Sequence, residues 1–303
     1  MSLKNIATLH GHTGAVWSVA WHPDGKLLAS CSGDKTIMLW GLEGNRWLCK
    51  TTLEDIHSRT IRRVCWSPDG RFLAAASFDS TVSVWEKDED GEYECIASLE
   101  GHENEVKCVA FDASGSLLAT CGRDKTVWIW EFVDDEFECV SVCHGHSQDV
   151  KSVVWHPTDE LLVSTAYDDT IRAWVADDDD WRAVTTIPAH KFTVWNAAWN
   201  PTGTILVSCS DDLSLKFWKY NATELTFELL QSIENVSDRS LYAVTWSRDD
   251  VVAVACGNNN IELYKHNGSE FGCIGSIQDA HERDVNCVAW SVGDANLLAS
   301  CGD

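Results

Sequence analysis

The stretch Gly11–Trp40, GHTGAVWSVAWHPDGKLLASCSGDKTIMLW, returns in altered form as Gly101–Trp130, GHENEVKCVAFDASGSLLATCGRDKTVWIW. In the first copy Val16–Trp21 alternates and is rich in β-formers, so it reads as a strand. His22-Pro23-Asp24-Gly25 reads as a turn, with proline presetting φ and glycine supplying a positive one. Leu27–Cys31 is an apolar run, the pattern of a strand buried on both faces. Gly33-Asp34-Lys35 forms a second tight turn, Thr36–Trp40 a third strand and Arg46–Leu53 an outer one. One period therefore spells four antiparallel strands, with Val16–Trp21 innermost.

The period is carried by His12, His57, His102, His146, His190 and His281, the first five spaced by 44 or 45 residues and the last, across the sixth copy, by 91. Trp40, Trp85, Trp130, Trp174 and Trp218 close the third strands, with Tyr264 as a weaker sixth, and Asp34, Asp79, Asp124, Asp168, Asp212 and Asn258 stand six residues earlier. A fixed period of this length is the WD40 signature, and four-stranded repeats of that kind build a β-propeller. The expectation is one all-β domain, a WD40 β-propeller of seven blades with the last incomplete. Repeats fall at about 12–53, 57–99, 102–143, 146–187, 190–233 and 237–277, with a partial one at 281–303. Lys4–Leu9 reads as the outer strand that closes the partial blade. Its third strand would follow Asp303, and the period implies a truncation of about ten or more residues. The sixth repeat is degenerate: Ser237 or Asp238 stands for histidine, so it is the expected site of local opening.

The periodic placement explains most of the chemistry-bearing residues. In WD40 repeats the aspartate accepts from the histidine, the histidine bonds a hydroxyl such as Ser30, Thr120, Ser164 or Ser208, and that hydroxyl accepts from the indole. Such a chain pairs polar groups that burial would otherwise strand. Thirteen cysteines fall mostly into periodic sets: Cys31, Cys121, Cys209, Cys256 and Cys301; Cys65, Cys108 and Cys287; Cys49, Cys95, Cys139 and Cys273. Recurrence at equivalent strand positions reads as use as a small buried hydrophobe. Cys143 lies outside these sets. No Cys-x-x-Cys pair and no nucleophile motif occurs. The reading is therefore of no catalytic residue, no metal and no cofactor.

The formal charge of −24, from 23 basic and 47 acidic residues, opposes nucleic-acid and anionic-membrane binding. Met1–Lys4 lacks a signal-peptide core, so a cytoplasmic and possibly also nuclear location is expected. Acidic hairpins at Lys87–Glu92, Asp134–Glu136 and Asp177–Asp180 read as a solvated rim. The opposite rim carries a different set. Five residues after each histidine, or at the matching place, stand Trp17, Arg62, Lys107, Lys151, Trp195, Tyr242 and Asn286. Before the second turn stand Phe78, Arg123, Tyr167 and Asp211. Blade folding requires none of these types, and they are the types enriched at interface hot spots. Arg62, Lys107, Arg123 and Lys151 read as a local reversal of sign around one channel mouth.

Ser77–Trp85, Leu99–Lys107, Leu118–Glu131, His146–Lys151, Val154–Pro157 and Tyr167–Thr170 carry a more particular likeness. They resemble the WD40 subunit of the cytosolic iron–sulfur protein assembly machinery, the Ciao/Cia WD40 family. The resemblance runs along nearly the whole chain and is strongest from about residue 60 to 215. It implies a non-catalytic scaffold of a targeting complex that delivers [4Fe–4S] clusters to cytosolic and nuclear apoproteins. It also implies a small partner subunit and a HEAT-repeat subunit as partners. Arg123 matches the family's surface arginine of the third blade. The Leu-Tyr-Arg motif of some members is replaced here by Ala173-Trp174-Val175, so its role does not carry over. The alternative expectation is a substrate receptor, for ubiquitin ligases or chromatin complexes, that reads acidic or phosphorylated peptides.

Overall fold

The structure is a computed structural model that describes residues 3–178, 180–292 and 297–303. Met1 and Ser2 of the N-terminal reading, and Asp179 of the acidic rim, lie outside these residues.

The first blade is β1 (Val16–Trp21), β2 (Leu27–Ser32), β3 (Ile37–Glu43) and β4 (Arg46–Leu53). The second is β5 (Ile61–Trp66), β6 (Phe72–Ser77), β7 (Val82–Lys87) and β8 (Tyr93–Leu99). The third is β9 (Val106–Phe111), β10 (Leu117–Gly122), β11 (Thr126–Val133) and β12 (Glu136–His144). The fourth is β13 (Val150–Trp155), β14 (Leu161–Ala166), β15 (Thr170–Asp177) and β16 (Asp180–Pro188). The fifth is β17 (Val194–Trp199), β18 (Ile205–Ser210), β19 (Leu215–Asn221) and β20 (Thr226–Ile233). The sixth is β21 (Leu241–Trp246), β22 (Val251–Cys256), β23 (Ile261–His266) and β24 (Phe271–Ile277). Each of these six sheets pairs its strands antiparallel in chain order, and β25 (Val285–Trp290) with β26 (Leu298–Gly302) forms a further two-stranded sheet.

The innermost strands β1, β5, β9, β13, β17, β21 and β25 each pack against the next, and β25 returns to β1. The seam is held by Trp21 Nε1 donating to the Ala289 carbonyl at 3.0 Å and by a core of Val19, Trp21, Leu28, Trp40, Cys287 and Cys301. Second strands lie between two neighbouring sheets. β6, β14 and β22 are consequently buried at every residue, which is why they read as unbroken apolar runs.

Five blades carry the expected polar chain. His12, His57, His102, His146 and His190 place Nδ1 at 2.9, 3.0, 2.6, 3.0 and 3.0 Å from Asp34, Asp79, Asp124, Asp168 and Asp212. Ser30, Thr120, Ser164 and Ser208 link the histidine to the indole as expected. The second blade departs. Its equivalent position is Ala75, and Ser83, directly opposite on β7, contacts His57 Nε2 and accepts from Trp85 Nε1, both at 2.8 Å. The hydroxyl has moved one strand over without leaving the cavity between ring and indole. In the sixth blade Asn258 and Tyr264 make no such chain, and stacked Phe217 and Phe271, 3.7 Å apart, pack beneath Tyr264 in an apolar core.

Two expectations need correction. Residues 4–9 form no strand. An outer strand needs a third-strand ladder beside it, and none lies there among the described residues; Leu3 and Leu9 still pack on the neighbouring cores. The outer-strand cysteines are not buried hydrophobes: Cys49, Cys139 and Cys273 are exposed and Cys95 is half-buried. Each faces the closing aromatic across the ladder, at a bulge, and its thiol donates to the carbonyl two residues on, at 3.5 to 3.7 Å. The thiol thus reaches across the skipped residue to the next paired one and spans the bulge. Cys143 is buried, and that burial pushes its thiol up to about 11, which marks a packing residue.

Ser83→Ala should cost about 1–3 kcal/mol by stranding His57 and the Trp85 indole. Adding Ala75→Ser should recover most of that in urea denaturation; a double variant as unstable as the single one would refute the exchange of strands. Acid should act in two stages. Burial pushes the His190 and His281 imidazoles below their ordinary value, so both are neutral when folded. Stability is full above about pH 6.5, where the unfolded imidazole is also neutral, and falls as pH drops below it. Burial alone would raise the Asp79, Asp168 and Asp212 carboxyls, but hydrogen bonds from His57, His146 and His190 and from neighbouring hydroxyls outweigh it and hold them well below the usual range. Their stabilisation is lost as pH falls below about 4. A Tm that stays level from neutral pH to about pH 4 would contradict this.

Candidate functional site at the channel mouth

The ladder between each innermost strand and its neighbour skips one residue. It passes from Val16 to Ser18, Ile61 to Arg63, Val106 to Cys108, Val150 to Ser152, Val194 to Asn196, Leu241 to Ala243 and Val285 to Cys287. The skipped residues are Trp17, Arg62, Lys107, Lys151, Trp195, Tyr242 and Asn286, the seven picked out by their distance from the histidine. A bulge leaves its extra residue unpaired and re-aims the side chain.

A second circle comes from the residues before the second turns. The amides of Gly33, Phe78, Arg123, Tyr167, Asp211 and Gly257 donate to the carbonyls of Ala15, Thr60, Glu105, Asp149, Thr193 and Ser240, at 2.8 to 3.0 Å. Each acceptor lies two residues before a bulge. Backbone hydrogen bonds alone therefore bring the two circles side by side.

The side chains interleave cations and rings. The Arg62 guanidinium lies 5.0 Å from the Trp17 ring centre, and Lys107 Nζ lies 3.9 Å from that of Phe78. Lys151 Nζ sits between Tyr167 at 5.2 Å and Trp195 at 5.1 Å. Trp195 meets Tyr242 edge-on at 5.4 Å and donates its indole N–H to Asp211 at 2.6 Å. The Tyr242 hydroxyl donates to Asp284 at 3.2 Å, and Asn286 Nδ2 donates to Asp303 at 2.9 Å. Each cation–ring contact contributes about 0.5–2 kcal/mol. The sequence-picked residues thus assemble into three groups: Trp17 with Arg62, Phe78 with Lys107 and Arg123, and Tyr167 with Lys151, Trp195 and Tyr242.

The expected reversal of sign is only partial. Glu105 accepts from Lys107 at 2.6 Å and Arg59 at 2.8 Å, with Arg123 at 3.8 Å, and Asp149 meets Lys151 at 3.5 Å. Half-buried ammonium groups need such partners. Burial pushes the Lys107 ammonium below its ordinary value against the pull of Glu105. Burial would raise Glu105, but Lys107 and Arg59 outweigh it. Sequence reasoning missed Glu105 because its role rests on three cations from two blades. It also missed Phe192, 60% exposed beside the mouth, which no periodic position marks. Arg123 and Tyr167 are the most open of the chosen residues, each 55% exposed. Among the described residues no group of three or more His, Cys, Asp or Glu side chains could hold a metal ion.

A closed ring of six four-stranded sheets and one two-stranded sheet defines a β-propeller, and one of its rims gathers rings and cations. The chain belongs to the WD40 family, whose model (WD domain, G-beta repeat) matches residues 3–41, 47–86, 93–131, 137–174, 181–219 and 271–303. Its more particular likeness is to probable cytosolic iron–sulfur protein assembly proteins. It is 67% identical to the CIAO1 homolog of Nematostella vectensis over 45 residues, 15% of this chain and 14% of that protein. It is 55% identical to the CIAO1 homolog of Ixodes scapularis over 53 residues, 18% of this chain and 17% of that protein. With mouse CIAO1 it shares 53% over 47 residues, 16% of this chain and 14% of that protein. These matches each span less than a fifth of the relative's own length.

Glu105→Gln should lower stability by about 2–3 kcal/mol, because it leaves Lys107 half-buried without its carboxylate. Asp149→Asn should cost less than about 1 kcal/mol, its pair being longer and more exposed. Equilibrium denaturation of both variants checks the ranking.

Proposed function

We propose that the chain is a non-catalytic scaffold in cytosolic iron–sulfur protein assembly and that the mouth is its partner-binding face. The process is taken from the named activity of the CIAO1 relatives. The observation that carries the role is the belt of rings and cations set on bulges, which no blade needs for folding. In the finer reading, carried from the resemblance, β25 and β26 are the inner half of a seventh blade. The chain then joins a small subunit and a HEAT-repeat subunit and helps insert [4Fe–4S] clusters, as cargo, into cytosolic and nuclear apoproteins. A rigid face raises the local concentration of client and cluster donor by holding both. Arg123, Arg62, Lys107 and Lys151 supply cationic contacts, with Arg123 free to engage a carboxylate in bidentate fashion. Phe78, Tyr167, Trp17, Trp195 and Tyr242 supply the apolar seat.

Arg123→Glu tests the site. The side chain is exposed, so the variant should fold, and recovery of assembly factors and client apoproteins from cytosolic extract should drop about tenfold or more, a loss of about 1.4 kcal/mol or more. Unchanged recovery would remove Arg123 from the site. Recovery of cullin or histone partners by the native chain would replace the assembly reading with that of a substrate receptor.

A further inference from the structure

Arg59, Lys107, Arg123 and Lys151 all have carboxylates within 4.0 Å, whereas Arg62 and Arg63 form no ion pair among the described residues. In a chain of charge −24 this does not reflect any shortage of acid. Arg63 belongs to a third circle, one residue past each bulge: Ser18, Arg63, Cys108, Ser152, Asn196, Ala243 and Cys287. Members of this circle stitch one innermost strand to the next. Ser18 Oγ accepts the Val64 amide at 3.5 Å, Asn196 Oδ1 accepts that of Val244 at 3.1 Å, and Asn196 Nδ2 donates to Ser152 at 2.9 Å. They therefore line the axis of the ring. Arg63 is too long to follow suit. It reaches past β1 and places Nη1 3.8 Å from Cys287 Sγ on β25.

The two guanidinium groups sense each other. Burial, then the charge of Arg63, draws Arg62 below its ordinary value. Among the described residues Arg62 has the Trp17 carbonyl at 3.4 Å and the Trp17 ring as its partners. Both arginines are partly exposed, so the space beside them opens to solvent. Two like charges gathered in a confined space are costly unless an anion joins them, and the guanidinium fork matches an oxyanion with two N–H donors at once.

We propose that the channel at Arg62 and Arg63 is a binding site for a small tetrahedral oxyanion. The site adjoins the partner face and shares Arg62 with it, but it does not depend on the assembly reading. The rival counter-charges are thiolates at Cys287 and Cys108, whose thiols are drawn down to about 5 by hydrogen bonds from Cys301 and Cys121 and by the Arg63 charge.

Inorganic phosphate is the probe. Calorimetric titration and ³¹P line broadening in a buffer free of other oxyanions should show one saturable site on the full chain, with sulfate competing and chloride at equal ionic strength not. Arg63→Met and Arg62→Met should each weaken binding by about tenfold or more, while Arg123→Met and Cys287→Ser leave it within about twofold. Absence of saturable binding overturns the proposal, as does equal binding in a folded Arg63→Met. Binding gained only in Cys287→Ser also overturns it, because the thiolate is then the counter-charge. Should Arg63→Met not fold, unaltered binding in Arg62→Met or failure of sulfate to compete on the native chain has the same force.

Discussion

The hydrogen bond between histidine Nδ1 and the turn aspartate is what the remainder of the molecule depends on. It ties the segment leading into an innermost strand to the turn between the second and third strands. The same carboxylate also accepts the amide that follows the histidine, as Asp34 does from Thr13 and Asp168 from Ser147, both at 2.8 Å. Two loops are thereby clamped together, and those loops carry the bulge residue and the residue before the second turn. The mouth is a by-product of the clamp. In the sixth blade, which lacks the clamp, Asp284, just before β25, holds Arg239 at 2.9 Å and Tyr242 at 3.2 Å.

The architecture was readable because the blade alternates two signals that a single sequence displays well: apolar runs and punctuating turns. First-strand and outer-strand bounds came out as read for the opening blade, Val16–Trp21 and Arg46–Leu53. The hydroxyl of the second blade was not readable, because Ser83 and Ala75 are neighbours only across a ladder. The cysteines of the outer strands misled for a similar reason. Periodicity shows that a position matters, not whether it faces the core or caps a bulge. Positive φ at Lys35, Ser80, Lys125, Asp169, Leu213 and Asn259 was equally hidden, since no glycine announces it. At five of these turns the preceding aspartate bonds the amide two residues on and so holds a conformation that ordinary side chains avoid.

At the mouth, position was legible and charge balance was not. Counting from the histidine located all seven bulge residues. Counting could not show that Glu105 collects three cations, or that Arg62 and Arg63 are left without a carboxylate. Pairing between blades depends on side-chain reach across a strand break. The outcome is a surface nearly balanced in charge, overlying a channel that is not, within a strongly acidic chain.

The bulges have a consequence for how such a chain can vary. A residue omitted from the ladder contributes no backbone pairing there, and the bulge re-aims its side chain. Exchanging Trp17, Lys151 or Tyr242 for another type therefore alters the make-up of the rim while the interstrand register beneath stays as it was. Rim chemistry and fold are written at neighbouring positions of the same strand. A chain built this way can change its rim by single substitutions at a cost confined to side-chain contacts such as the cation–ring pairs.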